Sequence, residues 1–293
     1  MKDMNDKVIV AADGGGTGCR AAAGTMARGI LGQAAGGPGN VHSDFDGALA
    51  NLTGAVAAAL AEAGLADIQL SEITAHFGVA GAHSEEEMTA VAKALPYGAS
   101  SVTGDRATSV RGALGSEDGY VVALGTGTIV ARQSGLEMTT IGGWGFDLSD
   151  QASGAWLGKR LLRETVKAVD GLQPHTALTS ATLEKMNGLF NMIYFATDAA
   201  PGDFAPLARD VVPAAAEGDA VALKLMQEGA AYVSHGLRSL GMQEGDVLAL
   251  GGGLGPHYAP YLPKELTANI ISPKGTALEG AFAMASDRVK SAL

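Results

Sequence analysis

One cysteine, two tryptophans and no long apolar run set the first limits on this chain of 293 residues. The single cysteine, Cys19, rules out an intramolecular disulfide and any Cys-rich zinc or iron–sulfur site built within one chain. Basic residues are also scarce: 20 Lys and Arg against 31 Asp and Glu leave a net charge of −11. No basic patch stands ready to release counterions, which argues against nucleic acid and anionic membranes as partners. No stretch approaches the ~20 lipid-compatible residues of a membrane span. The charged start, MKDMNDK, lacks the apolar segment of a signal peptide, so the cytoplasm is the expected address.

Apolar side chains (47%) and glycine (42 residues) are plentiful, with 17% of residues charged. That is the composition of a globular protein, long enough for two ordinary domains or one large one. The glycines cluster in short loops between apolar runs, a pattern of many tight turns rather than of a linker.

Lys7 to Ala12 reads as a short apolar strand stopped by glycines. Arg20 to Thr25 and Gly29 to Ala34 read as two more, too close in sequence for a helical crossover, so they pair antiparallel. Asp44 to Ala63 is an Ala-rich helix with Leu49, Leu52, Val56 and Leu60 on one face. Strands are expected at Ile73–Val79 and Ser101–Thr103, with a helix across Glu85–Leu95 between them. A second round begins at Tyr120, where "YVVALGTGT" is again a strand ending in a Gly-Thr loop. A hairpin of Ile129–Gln133 with Glu137–Ile141 follows, then helices over 153–169, 176–196, 204–216 and 219–240. "DVLALGGGLG" is a third strand running into glycines, and a last helix starts near Thr276. The two rounds share architecture more than letters and suggest an ancient duplication with two α/β lobes. The expected division is 1–105, completed by the C-terminal helix 276–293, and 106–275.

The first glycine loop, Asp13-Gly14-Gly15-Gly16-Thr17-Gly18, fails two common nucleotide motifs. A P-loop needs a lysine where Cys19-Arg20 stand, and the dinucleotide fingerprint needs a third glycine at Cys19 and a helix after it. A strand–turn–strand cradle remains, in which backbone N–H groups unobstructed by side chains can bind phosphate oxygens. Gly15 and Gly16 supply the bare backbone, Thr17 a hydroxyl, and Asp13 a carboxylate placed to hold Mg²⁺ through its water shell. The bland alternative is a hairpin whose glycines supply positive φ. Thr126-Gly127 and Gly252-Gly253 stand at two further strand ends, and three such loops in order favour a nucleotide such as ATP.

Between the phosphate loops lies "TGDRATSVRGAL", with Asp105 just beyond a strand. A kinase of a small hydroxyl compound needs a carboxylate to orient the attacking hydroxyl and take its proton. Asp105 is the candidate; its alternative role is a helix N-cap, which the first role does not preclude. In "IGGWGFDLSDQASGAWLGKRLL" an aromatic stands beside carboxylate and amide groups, a set suited to a sugar's C–H face and hydroxyl edges. Trp156 reads better as core. In "GPGNVHSD", Asn40 offers a neutral donor and acceptor, although an Asn after Pro-Gly is more often a turn residue.

The motifs "DGGGTGCRAA", "GPGN", "GDR", "GTGT", "GGWGFDLSDQASGAWLG" and "ALEGAFAMA", in that order over nearly the whole chain, resemble the BadF/BadG/BcrA/BcrD-type ATPase family. Within it they look closest to the glucosamine and N-acetylglucosamine kinases. The resemblance implies the two-lobed ribonuclease H-like α/β fold of the actin/hexokinase superfamily, with ATP in the interdomain cleft. It implies Asp105 as catalytic base, Thr17 and Thr126 toward the ATP phosphates, and the third glycine loop toward the adenosine. Asn40, Thr128, Gly143, Trp144, Gly145 and Asp150 are the implied sugar contacts. "SDQASGA" favours glucosamine over N-acetylglucosamine, and an acidic site with Asp150 suits a free amine that is partly cationic near neutral pH. The expected product is glucosamine 6-phosphate, with a homodimer left open.

Rivals fare worse. The iron–sulfur activators of 2-hydroxyacyl-CoA dehydratases need at least two cysteines per chain, and the sugar-responsive repressor-kinase family brings a Cys-rich zinc motif. A non-catalytic ATP-binding sugar sensor would keep the glycine loops but has no need of Asp105.

Overall fold

A computed structural model describes residues 7–135 and 137–291. The β-branched, apolar start forms β1 (Val8–Gly14), which turns back into β2 (Cys19–Thr25) and then β3 (Gly29–Gly36), all antiparallel. Helix α1 (Phe45–Glu62) follows. Asp44 caps it by accepting from the Gly47 N–H at 3.0 Å, and Leu52, Val56 and Leu60 are buried along one face, with Leu49 only partly buried. The chain then runs through β4 (Thr74–Val79), α2 (Glu85–Ala94), β5 (Ala99–Gly104) and α3 (Asp105–Leu114). β4 pairs parallel with both β1 and β5, giving the strand order β3-β2-β1-β4-β5.

The second sheet is built from β6 (Gly119–Leu124), β7 (Thr128–Ser134) and β8 (Glu137–Gly142) as an antiparallel meander. A helical stretch follows: α4 (Gly154–Val169), α5 (Ala177–Lys185), α6 (Leu189–Asp198), the single turn α7 (Pro201–Phe204), α8 (Ala208–Ala216) and α9 (Ala220–Ser239). Then come β9 (Leu248–Gly251), a short α10 (Gly255–Tyr258) and β10 (Ile270–Ile271), with β6, β9 and β10 parallel. Its order, taken as β8-β7-β6-β9-β10, repeats that of the first sheet strand for strand, with the same parallel and antiparallel pairings. The last helix, α11 (Ala277–Ser291), returns to the first sheet.

The chain divides into two compact units, one running up to Glu117 and including the stretch from Pro273 onward, the other Asp118–Ser272. In the first unit both sheet faces are covered. Val10, Ala12 and Phe77 pack with the α1 residues, while Ile9, Ala11 and Ala22 pack with Leu278, Phe282 and Val289 of α11. The second unit has one large core in which Val122 and Leu124 of β6 meet Leu157, Leu161, Leu225 and Val233. Trp156 is partly buried against that core. No helix among the described residues is long and apolar enough to cross a membrane.

Two expectations change. The helix over 176–196 is two helices, because Asn187 (φ 53°) and Gly188 (φ 96°) both adopt left-handed backbone that no α-helix continues through. The helix over 204–216 starts properly only at Ala208, after a short turn over Ala205–Leu207 in which Pro206 lacks the N–H that a longer helix would use.

Candidate functional site

In each unit the candidate residues collect at the C-terminal ends of the parallel strands, the edge where open α/β sheets bind ligands. In the first unit Asp13 and Gly14 end β1, opposite Gly78 and Val79 of β4, and Val79 is in turn opposite Gly104 of β5. Asp13, the first loop, the turn after β4 and Asp105 are thereby neighbours along one edge.

The loop Gly15–Gly18 is closed by a hydrogen bond from the Gly15 N–H to the Gly18 carbonyl at 2.9 Å. None of its glycines has positive φ, so the bland account of a glycine hairpin is not the one realised. A Cβ on Gly14 would meet the Gly39 carbonyl at 3.0 Å and Leu52 at 3.1 Å, so that glycine serves packing. A Cβ on Gly16 would meet nothing within 4 Å. Neither conformation nor packing demands a glycine there, and what the missing side chain leaves is open backbone. Thr17 is exposed beside it. Cys19 is buried, and burial raises its thiol pKa, so it is a packing residue rather than a reactive one.

Asp13 is paired with the residue across the hairpin: Arg20 Nη2 donates to its Oδ2 at 2.8 Å. Asn40 sits in a turn, its Oδ1 accepting from the N–H groups of His42 (3.0 Å) and Ser43 (3.1 Å). The turn reading of Asn40 is therefore realised, and the side-chain amide N–H₂ is what it can offer a ligand. The segment is pinned at the strand ends, Gly39 N–H to the Gly15 carbonyl at 2.9 Å and Val41 N–H to the Ala80 carbonyl at 3.1 Å.

Asp105 is the first residue of α3, and Gly104 occupies the N-cap, so the aspartate is not spent on capping by its position. Its backbone carbonyl accepts from Thr108 and Ser109, both at 2.9 Å, while the carboxylate is held by the Arg106 backbone N–H. Burial pushes its pKa above the usual carboxylate range. The Arg106 guanidinium opposes this, nearby Asp13 adds to it, and His83 opposes it weakly.

In the second unit the loop after β6 is tied to the start of α4 by a hydrogen bond from the Gly154 N–H to the Gly125 carbonyl at 2.8 Å. Gly125 and Thr126 are exposed. Thr128 instead faces inward at 2% exposure, its N–H on Asp150 Oδ1 (3.1 Å) and its hydroxyl on the Gln151 carbonyl (2.7 Å). It holds Asp150 in place rather than presenting its own hydroxyl. A Cβ on Gly127 would touch the Asp150 carboxylate at 3.1 Å. Asp150 (φ 66°) and Ala152 (φ 71°) both sit in left-handed backbone, which costs energy for residues with a Cβ and clusters at functional sites. Gly143 (φ 72°) and Gly145 (φ 92°) flank Trp144, whose side chain is 67% exposed.

Gly252 (φ 74°) lies against the end of β6, where a Cβ would collide with the Leu124 carbonyl, whereas Gly253, like Gly16, faces open space. Gly253, Leu254 and His257 line a cavity of about 490 Å³ with Arg209, Val212 and Pro213 of α8. The helix wall of that cavity was invisible to sequence reasoning, since α8 carries no motif.

A second omission has a clear signal. "HFGVAGAH" places Gly81 (φ 84°) just after β4, as "LALGGG" places Gly252 just after the matching strand β9. The turn Ala80–His83 is thus the first unit's counterpart of the third glycine loop.

These two sheets of matching topology define a hexokinase-type two-lobed α/β fold. A hexokinase of the ROK family from Thermus thermophilus shares it at a TM-score of 0.60 and 16% identity, covering 97% of this chain and 99% of that one. Residues 11–275 match the model of the BadF/BadG/BcrA/BcrD ATPase family, and the chain belongs to that family. The glucosamine kinase GspK of Vibrio cholerae is 28% identical over 278 residues, 94% of this chain and 95% of that protein. A proposed N-acetylglucosamine kinase from Chromobacterium violaceum is 30% identical with a TM-score of 0.85, covering 96% of this chain and 99% of that one.

Proposed function

We propose that the protein transfers the γ-phosphoryl group of ATP to the 6-hydroxyl of a free amino sugar, glucosamine first among them. The observation that carries this reading is Asp105: a carboxylate at a strand end, made more basic by burial and held at a helix N-terminus. Asp105 accepts the hydroxyl proton while the sugar oxygen forms its bond to phosphorus and the bond to the ADP oxygen breaks. Gly16 and Thr17, with Thr126 and Gly127, offer N–H and hydroxyl donors to the phosphates, and Gly15, its own N–H closed onto the Gly18 carbonyl, keeps the loop's backbone bare. Gly253 lines the cavity that takes the adenosine, and Gly252, turned against the end of β6, shapes the loop that presents it. The two compact units are, on this reading, the family's two lobes.

Among the described residues no cluster of three or more His, Cys, Asp or Glu could hold a metal by itself. Mg²⁺ that arrives with ATP needs no such cage, because it keeps most of its waters and one or two carboxylates suffice. Asp13, with one carboxylate oxygen taken by Arg20, fits that water-mediated role, and the ion would offset phosphate charge on an acidic protein. Asp150 meets the amine on this reading, which its buried position and left-handed backbone, suited to a fixed contact, support. Trp144 offers an aromatic face for the sugar's C–H side, and Asn40 an amide donor. N-acetylglucosamine is the second acceptor to consider, on the likeness to the Chromobacterium violaceum protein.

A coupled ADP-release assay with Mg-ATP against glucosamine, N-acetylglucosamine, glucose and mannosamine tests the reading. Asp105→Ala is expected to lower kcat by about 10²–10⁴, the range of a positioned acid–base group. Sugar-independent ADP release that ignores Asp105 would sink it.

A further inference from the structure

Two exposed histidines stand each on its own loop, His83 beside Asp105 and His42 beside His83. The turn Ala80–His83 leaves β4, the strand next to β5, and the Ala82 carbonyl lies 3.5 Å from where a Cβ on Gly104 would be. His83 follows Ala82 directly, so it flanks the residue after Gly104, which is Asp105. Its backbone is fixed: the N–H groups of His83 and Ser84 donate to Glu87 Oε2 at 2.8 and 2.9 Å, in the capping box of α2.

The second loop is stacked on the first. Gly81 has no Cβ to strike Asn40 Oδ1, and its positive φ keeps the two turns in contact. His42 is in the Asn40 turn, and the two imidazole rings lie 6.4 Å apart at 60°, within the range of tilted aromatic pairs. Neither ring is needed for the core.

Resting on the amino-sugar kinase reading, the consequence is geometric. When the 6-hydroxyl of a hexopyranose is held by Asp105, the 4-hydroxyl hangs from the carbon next to C5 and points to the same edge. We propose that His83 binds the acceptor sugar by its 4-hydroxyl, with His42 packed behind it to hold the ring. His83 is then a substrate-positioning residue, and this edge of the site separates the gluco from the galacto configuration. The imidazole can donate to the hydroxyl from one nitrogen or accept from it at the other, a contact whose loss costs about 3- to 10-fold.

The test is a functional-group cycle: kcat/KM for wild type, His83→Ala, His83→Asn and His42→Ala, on glucosamine, 4-deoxyglucosamine and galactosamine. Wild type should prefer glucosamine over its 4-deoxy analogue by about 3- to 10-fold. His83→Ala should lose most of that preference through a raised KM for glucosamine, with kcat little changed. His83→Asn should keep part of it, and His42→Ala should fall between wild type and His83→Ala. An undiminished preference in active His83→Ala protein overturns the assignment, as does an equal fall in kcat on both sugars or a wild type indifferent to the 4-hydroxyl. A wild type that phosphorylates no amino sugar overturns the kinase reading, and the assignment with it; the other failures leave the kinase reading standing.

Discussion

At the scale of single residues, the candidate site is kept at the expense of stability. Burial raises the pKa of Asp105 and a second carboxylate, Asp13, raises it further. The native state therefore binds this proton more readily than the unfolded chain does, and above the raised pKa the ionised form costs stability. That cost is absent below the unfolded value of about 3.9. Asp105→Asn removes the charge without changing the shape. It should melt at a higher temperature than wild type at pH 7–8 while losing activity. The difference should shrink as pH falls through the raised pKa. Thermal melts across pH 3–8 check the trend, and a variant less stable than wild type at neutral pH would contradict it. The left-handed Asp150 and Ala152 tell the same story, as backbone strain tolerated where a carboxylate must be aimed.

At the scale of elements, the helix that carries Asp105 buries Val110 and Leu114 and comes close to its neighbours where glycines leave room. A Cβ on Gly280 of α11 would run into the Thr108 carbonyl of α3, and one on Gly78 of β4 into the Thr108 side chain. Gly280→Ala gains about 0.5–1 kcal/mol of helix propensity but forces α3 off α11, an overpacking worth about 1–3 kcal/mol. The clash is with backbone and cannot be relieved by a rotamer, so overpacking wins. Denaturant unfolding should show a net loss, with kcat lowered because Asp105 moves with α3. Most elements were legible from periodicity and turn chemistry, including the β1–β2–β3 meander and the capped α1. The break at Asn187-Gly188 was missed because apolar residues continue on both sides of it, and β10 because two residues carry no period.

At the scale of the whole molecule, the repeated strand order gives the duplication a structural basis that the letters alone lacked. It also sorts the glycines. Gly16 and Gly253 have neither positive φ nor a neighbour within 4 Å of an added Cβ. Gly16→Val and Gly253→Val should leave the melting temperature of the free protein nearly unchanged. Each should reduce the upward shift caused by Mg-ATP, which for wild type at 100 times Kd amounts to about 2.7 kcal/mol by mass action. Differential scanning fluorimetry with and without Mg-ATP reads both effects; variants that keep the full shift would refute a nucleotide role for these loops.

Local chemistry sufficed for most strands, the glycine loops and the net acidity, and it singled out Asp105 as the candidate, because alternation, turn residues and charge act over a few neighbours. Only the tertiary structure decided which glycines are bare and which are packed, since that depends on Gly39, Leu124 and Thr108, distant in sequence. It also turned Thr128 inward onto Asp150 and Gln151, and brought the His42 ring against that of His83, which stands beside Asp105. Those outcomes follow from strand order and helix seating, which no window along the chain contains.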